Sequence, residues 1–164
     1  MDYLWSPWRY RYVQTAAAKD IPCIFCHHAA DQNDEANFIV FRGQRNFVLL
    51  NLYPYTSGHL MIAPYEHVAT LDAAAEATLE EMILLAQRAQ LYLAALYKPT
   101  GFNLGMNLGE SAGAGVIGHI HLHVLPRWTG DTSFMTTVSE TRVLPEELPV
   151  TWRKLSAAFH EKQP

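Results

Sequence analysis

The sequence has few of the features that mark several classes of protein. Its 164 residues include only two cysteines, too few for the disulfide framework of a small secreted fold. No apolar run reaches the roughly 18 residues that a membrane-spanning helix needs, and residues 1–5 lack the basic segment followed by an apolar one that is typical of a secretory leader. We therefore expect a protein of the cytoplasm that does not enter the membrane.

Positive charge is also scarce. The 12 lysines and arginines are outnumbered by 16 aspartates and glutamates, which gives a formal net charge of −4. An acidic chain without a basic run is a poor candidate for binding nucleic acid or anionic membranes in general. Apolar residues make up 49% of the chain, which excludes intrinsic disorder, and the length predicts one domain over residues 1–164.

Glycine and histidine are concentrated in one stretch of the chain. Six of the nine glycines lie between Gly101 and Gly118, and three of the eight histidines follow directly, at positions 119, 121 and 123. Glycine allows backbone amides to approach an anion closely and to point into a small concave site. This concentration places the expected chemistry within residues 102–128.

Hydrophobic periodicity predicts the elements around this stretch. Short apolar runs predict five strands, over residues 38–41, 47–50, 59–62, 102–108 and 116–125. Helical spacing predicts a long helix over 79–96, begun by a capping box of Thr78 and Glu81 and ended near Pro99. A second amphipathic helix is predicted over 148–159. We therefore expect an α+β fold with an antiparallel sheet of five or more strands, one long helix and one C-terminal helix.

The three histidines alternate with apolar residues in the run from His119 to Leu125. Side chains alternate between the faces of a strand, so the three imidazoles would share one face. Lys, Thr or Glu would suffice on the solvent-facing side of a strand, so a simple polar face is a poor explanation of three aligned histidines. A single metal ion is also a poor explanation, because His119 and His123 would lie about 13 Å apart, too far for bonds of about 2.1 Å.

Phosphate chemistry accounts for the glycines and the histidines together. A neutral imidazole can attack phosphorus and form a phosphoramidate, which divides one difficult displacement into two easier ones. Neighbouring imidazoles and the amides of the loop over residues 109–115 would stabilise charge on the non-bridging oxygens. The glycine loop alone would be equally consistent with a simple turn between strands.

The run from His119 to Leu125 resembles the signature of the histidine triad (HIT) family, in which three histidines alternate with apolar residues. The likeness extends over residues 47–64 and 101–127. Residues 4–9 and 126–132 resemble the bacterial branch whose members are like diadenosine tetraphosphate (Ap4A) phosphorylase. The resemblance implies a HIT-like fold, a homodimer, and three parts of the chain: an N-terminal arm (1–20), a HIT core (21–127) and a C-terminal extension (128–164).

The resemblance also implies a role for each matching residue. His121 would be the nucleophile that takes the nucleoside monophosphate, and His123 would hydrogen-bond to the phosphate and the bridging oxygen. Asn51 matches the position that holds the ribose hydroxyls. The positions that match phosphate contacts are Asn107, Ala114, Gly115 and Val116. The loop between Asn107 and His119 is one residue longer than in the best-known eukaryotic members, so Asn103 is an alternative to Asn107.

A second candidate site is a structural zinc centre. The candidate ligands are Cys23, Cys26, His67 and His119. The two cysteines have zinc-ligand spacing but no second pair, so two histidines would complete the set, as in zinc-containing branches of the HIT superfamily. His27 and His28 compete by proximity, and the alternative without metal is two buried thiols with a histidine that caps a helix. Four protein ligands would leave no open position for water.

The resulting hypothesis is an enzyme that cleaves a dinucleoside polyphosphate such as Ap4A at its α-phosphate, through a nucleotidyl-histidine. The nucleotidyl group would pass to inorganic phosphate, which the branch likeness slightly favours over water. Two points argue against phosphate: Arg127 is the single candidate cation near the histidines in the sequence, and water is far more concentrated. The alternative is a module that only binds a mononucleotide or signals. The intact His121 argues against that alternative, because a binding site needs no nucleophile.

Overall fold

The computed structural model describes residues 23–132 and 144–161. Within these ranges the helices are α1 (Ile24–Ala30), α2 (Glu76–Tyr97) and α3 (Leu148–His160). The strands are β1 (Ile39–Arg42), β2 (Asn46–Leu50), β3 (Leu60–Pro64), β4 (Gly101–Gly105) and β5 (Leu122–Arg127). The predicted N-terminal arm lies outside the described residues, as does part of the predicted C-terminal extension.

The strands form one antiparallel sheet in the order β1-β2-β3-β5-β4. The predicted hairpin joins β1 to β2, and the long helix α2 connects β3 to β4. The position of β5 between β3 and β4 brings the histidine run into the sheet and leaves β4 at its edge. The predicted α+β architecture is confirmed.

Side-chain alternation gives the sheet two apolar faces. The larger core packs one face against α2 and α3, and its strand residues include Val48, Leu50, Leu60, Ile62, Leu122 and Val124. A smaller cluster on the opposite face consists of Cys23, Phe25, Ile39, Phe47, Leu49, Met61 and Ala63. Since Leu122 and Val124 belong to the larger core, the alternate side chain of His123 lies on the face that carries α1.

The predicted strand over residues 116–125 is only partly correct, because β5 begins at Leu122. Its pairing with β3 stops at Ile62, and continuing the ladder would require Pro64, which has no amide proton to donate. The preceding residues are irregular, and the amide of Ile120 donates to the carbonyl of Val68 at 2.8 Å. Ile120 is nevertheless buried in the larger core, so the predicted alternation is kept where the strand is not.

The predicted capping box at the start of α2 is wrong. The helix begins at Glu76, and its N-cap residue makes no side-chain capping bond. Glu81 instead accepts hydrogen bonds from the backbone amides of Gln44, Arg45 and Asn46 at 2.7–2.8 Å. Three amides of a hairpin turn stabilise a carboxylate more than one helix amide does, so Glu81 joins the β1–β2 hairpin to α2.

The end of α2 agrees with the prediction. Lys98 adopts a left-handed φ of 47° directly before Pro99 and closes the helix. Strand β4 then ends at Gly105, three residues before the predicted end at 108. Across the described part of the chain, no helix has the length and apolar character that crossing a membrane requires.

Candidate active site and metal cluster

The imidazole rings of His119, His121, His123 and His59 form a row, the histidine row, on the face of the sheet that carries α1. The ring centroids of His121 and His123 lie 4.9 Å apart, and those of His123 and His59 lie 5.0 Å apart. Phe25 contacts both His119 and His121, with centroid distances of 5.2 and 4.8 Å. The three histidines therefore share a face, as predicted, but His119 belongs to a different set of contacts from the other two.

His121 is held as a neutral imidazole with a defined tautomer. Its Nδ1 lies 2.9 Å from the carbonyl oxygen of His119. A carbonyl can only accept, so Nδ1 carries the proton and Nε2 keeps its lone pair. Burial lowers the pKa of His121 below its ordinary value, which keeps the ring neutral at pH 7. A neutral ring with a lone pair on Nε2 is the form that can attack phosphorus.

His59 is a member of the row to which sequence reasoning assigned no chemistry. The backbone amide of Tyr55 donates to His59 Nδ1 at 3.2 Å, so the His59 proton is on Nε2. This Nε2 lies 2.9 Å from His123 Nδ1 and donates to it. The proton of neutral His123 is therefore on its own Nε2, which makes it a donor beside His121.

His59 lies within residues 47–64, where the sequence resembles the family, in the turn Ser57-Gly58-His59, but that resemblance assigns it no role. His59 directly precedes β3, and the pairing of β3 with β5 brings it to His123, 64 positions away along the chain. Gly58 supports this approach, because its φ is +76° and an added Cβ would lie 2.8 Å from the side chain of Leu93.

Four side chains with metal-ligating atoms meet at the other end of the row, and their ligand atoms all lie within 4.8 Å of one another: Cys23, Cys26, His67 and His119. Cys23 Sγ is 3.3 Å from His119 Nδ1, and Cys26 Sγ is 3.2 Å from His67 Nδ1. The two Nδ1 atoms are 3.3 Å apart. A tetrahedral zinc ion would place its nitrogens about 3.4 Å apart and a nitrogen and a sulfur about 3.6 Å apart, so the spacing fits.

The surroundings of this Cys2His2 cluster prepare its histidines to bind a metal. His119 Nε2 donates to the carbonyl of Pro64 at 2.9 Å, so its Nδ1 lone pair is directed at the cysteines. Burial also lowers the pKa of His119 and favours the neutral, ligating form. Gly118 leaves room for His67, because an added Cβ would lie 3.3 Å from His67 Nε2. The alternative ligands His27 and His28 lie outside the cluster.

The candidate nucleotide-binding residues are only partly connected to the row. Asn51 Nδ2 lies 3.4 Å from His59 Nδ1, and Asn51 Oδ1 accepts from the amide of Tyr53. Asn103 Oδ1 accepts a hydrogen bond from Arg127 at 2.7 Å. Because Asn103 already has this partner, Asn107 is favoured over it for a phosphate contact. The roles of Asn51, Asn107, Ala114, Gly115 and Val116 stay predictions.

Arg127, the candidate cation for a second anion, is already paired. Its guanidinium donates to both carboxylate oxygens of Asp131, at 2.5 and 2.8 Å. This pairing holds the pKa of Asp131 at about 2, so the carboxylate is charged at neutral pH. The positive charge of Arg127 is thus largely compensated within the protein.

Comparison with known proteins agrees with this geometry. A family model described as HIT domain matches residues 32–130. The chain is 37% identical over 170 aligned positions to a curated AP-4-A phosphorylase of Mycobacterium tuberculosis, and the match covers all of this chain and 87% of the relative.

Two solved structures extend the comparison. A Zn-bound histidine triad family protein from Mycobacterium smegmatis superposes with a TM-score of 0.67 at 28% identity, covering 83% of this chain and 91% of that chain. A hypothetical histidine triad nucleotide-binding protein from Sulfolobus tokodaii gives a TM-score of 0.64 at 25% identity, with the same coverage of both chains. From the matched domain, the full-length relative and the row of histidines, the chain belongs to the HIT family.

Proposed function

We propose that this HIT protein is an enzyme that cleaves dinucleoside polyphosphates of the Ap4A type at the α-phosphate. The observation that supports this proposal most directly is the tautomer of His121. Its Nδ1 donates a hydrogen bond to the carbonyl of His119, and its Nε2 keeps its lone pair. The relative named AP-4-A phosphorylase, which matches along the full chain, supports the choice of substrate.

In the first step, His121 Nε2 attacks the α-phosphorus. A P–N bond forms while the bond from phosphorus to the bridging oxygen breaks, and Ap4A releases ATP. The hydrogen bond that His121 Nδ1 donates to the His119 carbonyl stabilises the positive charge that develops on the ring. His123 Nε2 donates a hydrogen bond to the departing oxygen, because His59 fixes the proton on that nitrogen.

In the second step, an acceptor displaces the histidine from phosphorus and restores the free enzyme. Inorganic phosphate gives ADP, and water gives AMP. The name of the full-length relative supports phosphate as the acceptor. We therefore place phosphorolysis ahead of hydrolysis.

Product analysis tests this function. Ap4A is incubated with the enzyme with and without inorganic phosphate, and the nucleotides are separated. The expected result is ATP together with ADP, and ADP appears only when phosphate is present. ATP with AMP at every phosphate level would make the enzyme a hydrolase, and unchanged Ap4A under both conditions would contradict the proposed substrate.

We also propose that the Cys2His2 cluster holds zinc. The donor set, its spacing and the Zn-bound relative from Mycobacterium smegmatis support this choice. With four protein ligands, the ion would join α1 to the segments after β3 and before β5 and would leave no position for substrate. Thiolate ligands persist in a reducing compartment, which supports a cytoplasmic location.

A homodimer is the third part of the proposal. Strand β4 lies at the edge of the sheet, and its Leu104 side chain is 47% exposed. The long helix α2 also exposes Ile83, Leu84 and Leu91. Among the described residues, no strand pairs with the outer edge of β4. Such an edge and exposed apolar side chains are typical of surfaces that a partner covers, and we propose a second copy of this chain as that partner.

A further inference from the structure

One short segment connects the metal cluster with the nucleophile. Cys23 is the N-cap of α1, and Cys26 lies within its first turn, so both sulfurs reach the cluster. Phe25 lies between them in sequence, and its side chain is only 2% exposed. The phenyl ring is therefore buried in the smaller apolar cluster, in the short segment between the two candidate metal ligands.

The ring of Phe25 contacts the imidazole of His121 directly. The two centroids are 4.8 Å apart and the ring planes are inclined by 39°. The same ring lies 5.2 Å from that of His119, whose carbonyl binds His121 Nδ1. These distances lie within the range of packed aromatic pairs. Phe25 thus restricts both the ring of the nucleophile and the residue that orients it.

Helix α1 is also held at its C-terminal end, which makes this segment a rigid support. Arg42 Nη1 donates to the carbonyl of Ala29 at 2.9 Å, and Arg42 Nη2 donates to the carbonyls of His28 and Asp31. These bonds satisfy backbone acceptors that a helix end leaves without partners. A seven-residue helix fixed at both ends can keep one buried side chain in place.

We infer that Phe25 is a positioning residue for His121, because its ring holds the imidazole so that Nε2 points toward the bound α-phosphate. The inference rests on the proposed function for the reaction that this orientation serves. It predicts an effect on the chemical step rather than on substrate binding, because misplacement of a reacting atom by about 1 Å can cost about a hundredfold in rate.

The test compares two substitutions in the same apolar cluster. Phe25→Leu removes the contact with His121, whereas Phe47→Leu removes a buried ring that stacks on Tyr65. With Ap4A as substrate, we expect Phe25→Leu to lower kcat by about tenfold or more while KM changes by less than about twofold. Phe47→Leu should leave both within about twofold of wild type. Melting temperature and metal content are measured in both variants.

A second readout needs no turnover. Long-range proton–nitrogen NMR of protein labelled with ¹⁵N-histidine identifies the tautomer of each imidazole, and loss of a signal in His121→Asn assigns His121. Wild type and Phe47→Leu should show His121 protonated on Nδ1 alone. Phe25→Leu should show a mixture of tautomers or an exchange-broadened signal. Phe25→Met provides the same comparison if the leucine variant does not fold.

The outcomes separate this inference from the proposed function. An unchanged kcat and a single tautomer in the Phe25 variants would overturn the inference, as would an equal loss of kcat in Phe47→Leu. A rise in KM alone would make Phe25 part of the substrate pocket and would also overturn it. If wild type does not cleave Ap4A, the proposed function fails, and the NMR comparison still decides the role of Phe25.

Discussion

At the scale of single residues, the proposed chemistry depends on which nitrogen of each imidazole carries the proton. Backbone groups decide this: the carbonyl of His119 accepts from His121, and the amide of Tyr55 donates to His59. The histidine signature predicted the row of side chains from the sequence. It could not predict the tautomers, because they depend on backbone groups and on a contact between His59 and His123 that only strand pairing creates.

Replacing His59 tests this chain of hydrogen bonds. His59→Leu removes the donor that places the His123 proton on Nε2, so we expect kcat for Ap4A to fall about tenfold to a hundredfold with little change in KM. The exposed His27, outside the row, provides the control variant His27→Ala, which should keep wild-type kinetics. Full activity of His59→Leu would contradict the role assigned to His59.

At the scale of elements, alternation along the strands could be predicted, but the ends of the elements could not. The apolar positions of the histidine run face the larger core as expected, and Ile120 does so outside any regular strand. The start of β5 depends on Pro64 in the adjacent strand β3. The hydrogen bonds of Glu81 depend on the β1–β2 hairpin, which packs beside α2. Both are tertiary contacts that a local pattern does not contain.

The Cys2His2 cluster is tested as a crosslink between elements. Protein purified without chelators should contain about one zinc per chain, and Cys26→Ser and His67→Ala should lose it. Loss of a crosslink that closes long loops should cost about 2–4 kcal/mol of stability, or roughly 4–16 °C in melting temperature. His27→Ala should keep both the metal and the melting temperature.

Elemental analysis that finds no metal in the wild type would contradict the zinc site. It would leave the nucleotide chemistry in place, because the hydrogen bond between His121 Nδ1 and the backbone carbonyl of His119 requires no metal. The two proposals can therefore fail separately.

At the scale of the whole molecule, the two faces of the sheet have different tasks. The face toward α2 and α3 holds the larger core, whereas the opposite face carries α1, the histidine row and the Cys2His2 cluster. The fold class and the common face of the three histidines could be predicted from the sequence, because the histidine run alternates residues between these faces. The division into arm, core and extension stays a prediction, since the arm lies outside the described residues and the extension is described only in part.

Oligomeric state is the property of the whole molecule that the exposed edge strand predicts. Light scattering should give twice the chain mass of 18.5 kDa for the wild type. Leu104→Glu places a charge on the exposed edge of β4 and should shift the protein toward the monomer. Leu71→Glu, at an exposed position outside α2 and β4, should remain dimeric. A monomeric wild type would contradict the homodimer.

The central claim is that His121 carries the nucleotidyl group between two displacements. The most direct measurement is intact-protein mass spectrometry after brief reaction with a slowly cleaved phosphorothioate analogue of Ap4A. The wild type should gain the mass of one nucleoside thiomonophosphate, as an acid-labile adduct on the peptide that contains His121. His121→Asn should bind the analogue, form no adduct and show no turnover. Near-normal turnover in His121→Asn, or an adduct on another residue, would contradict the account.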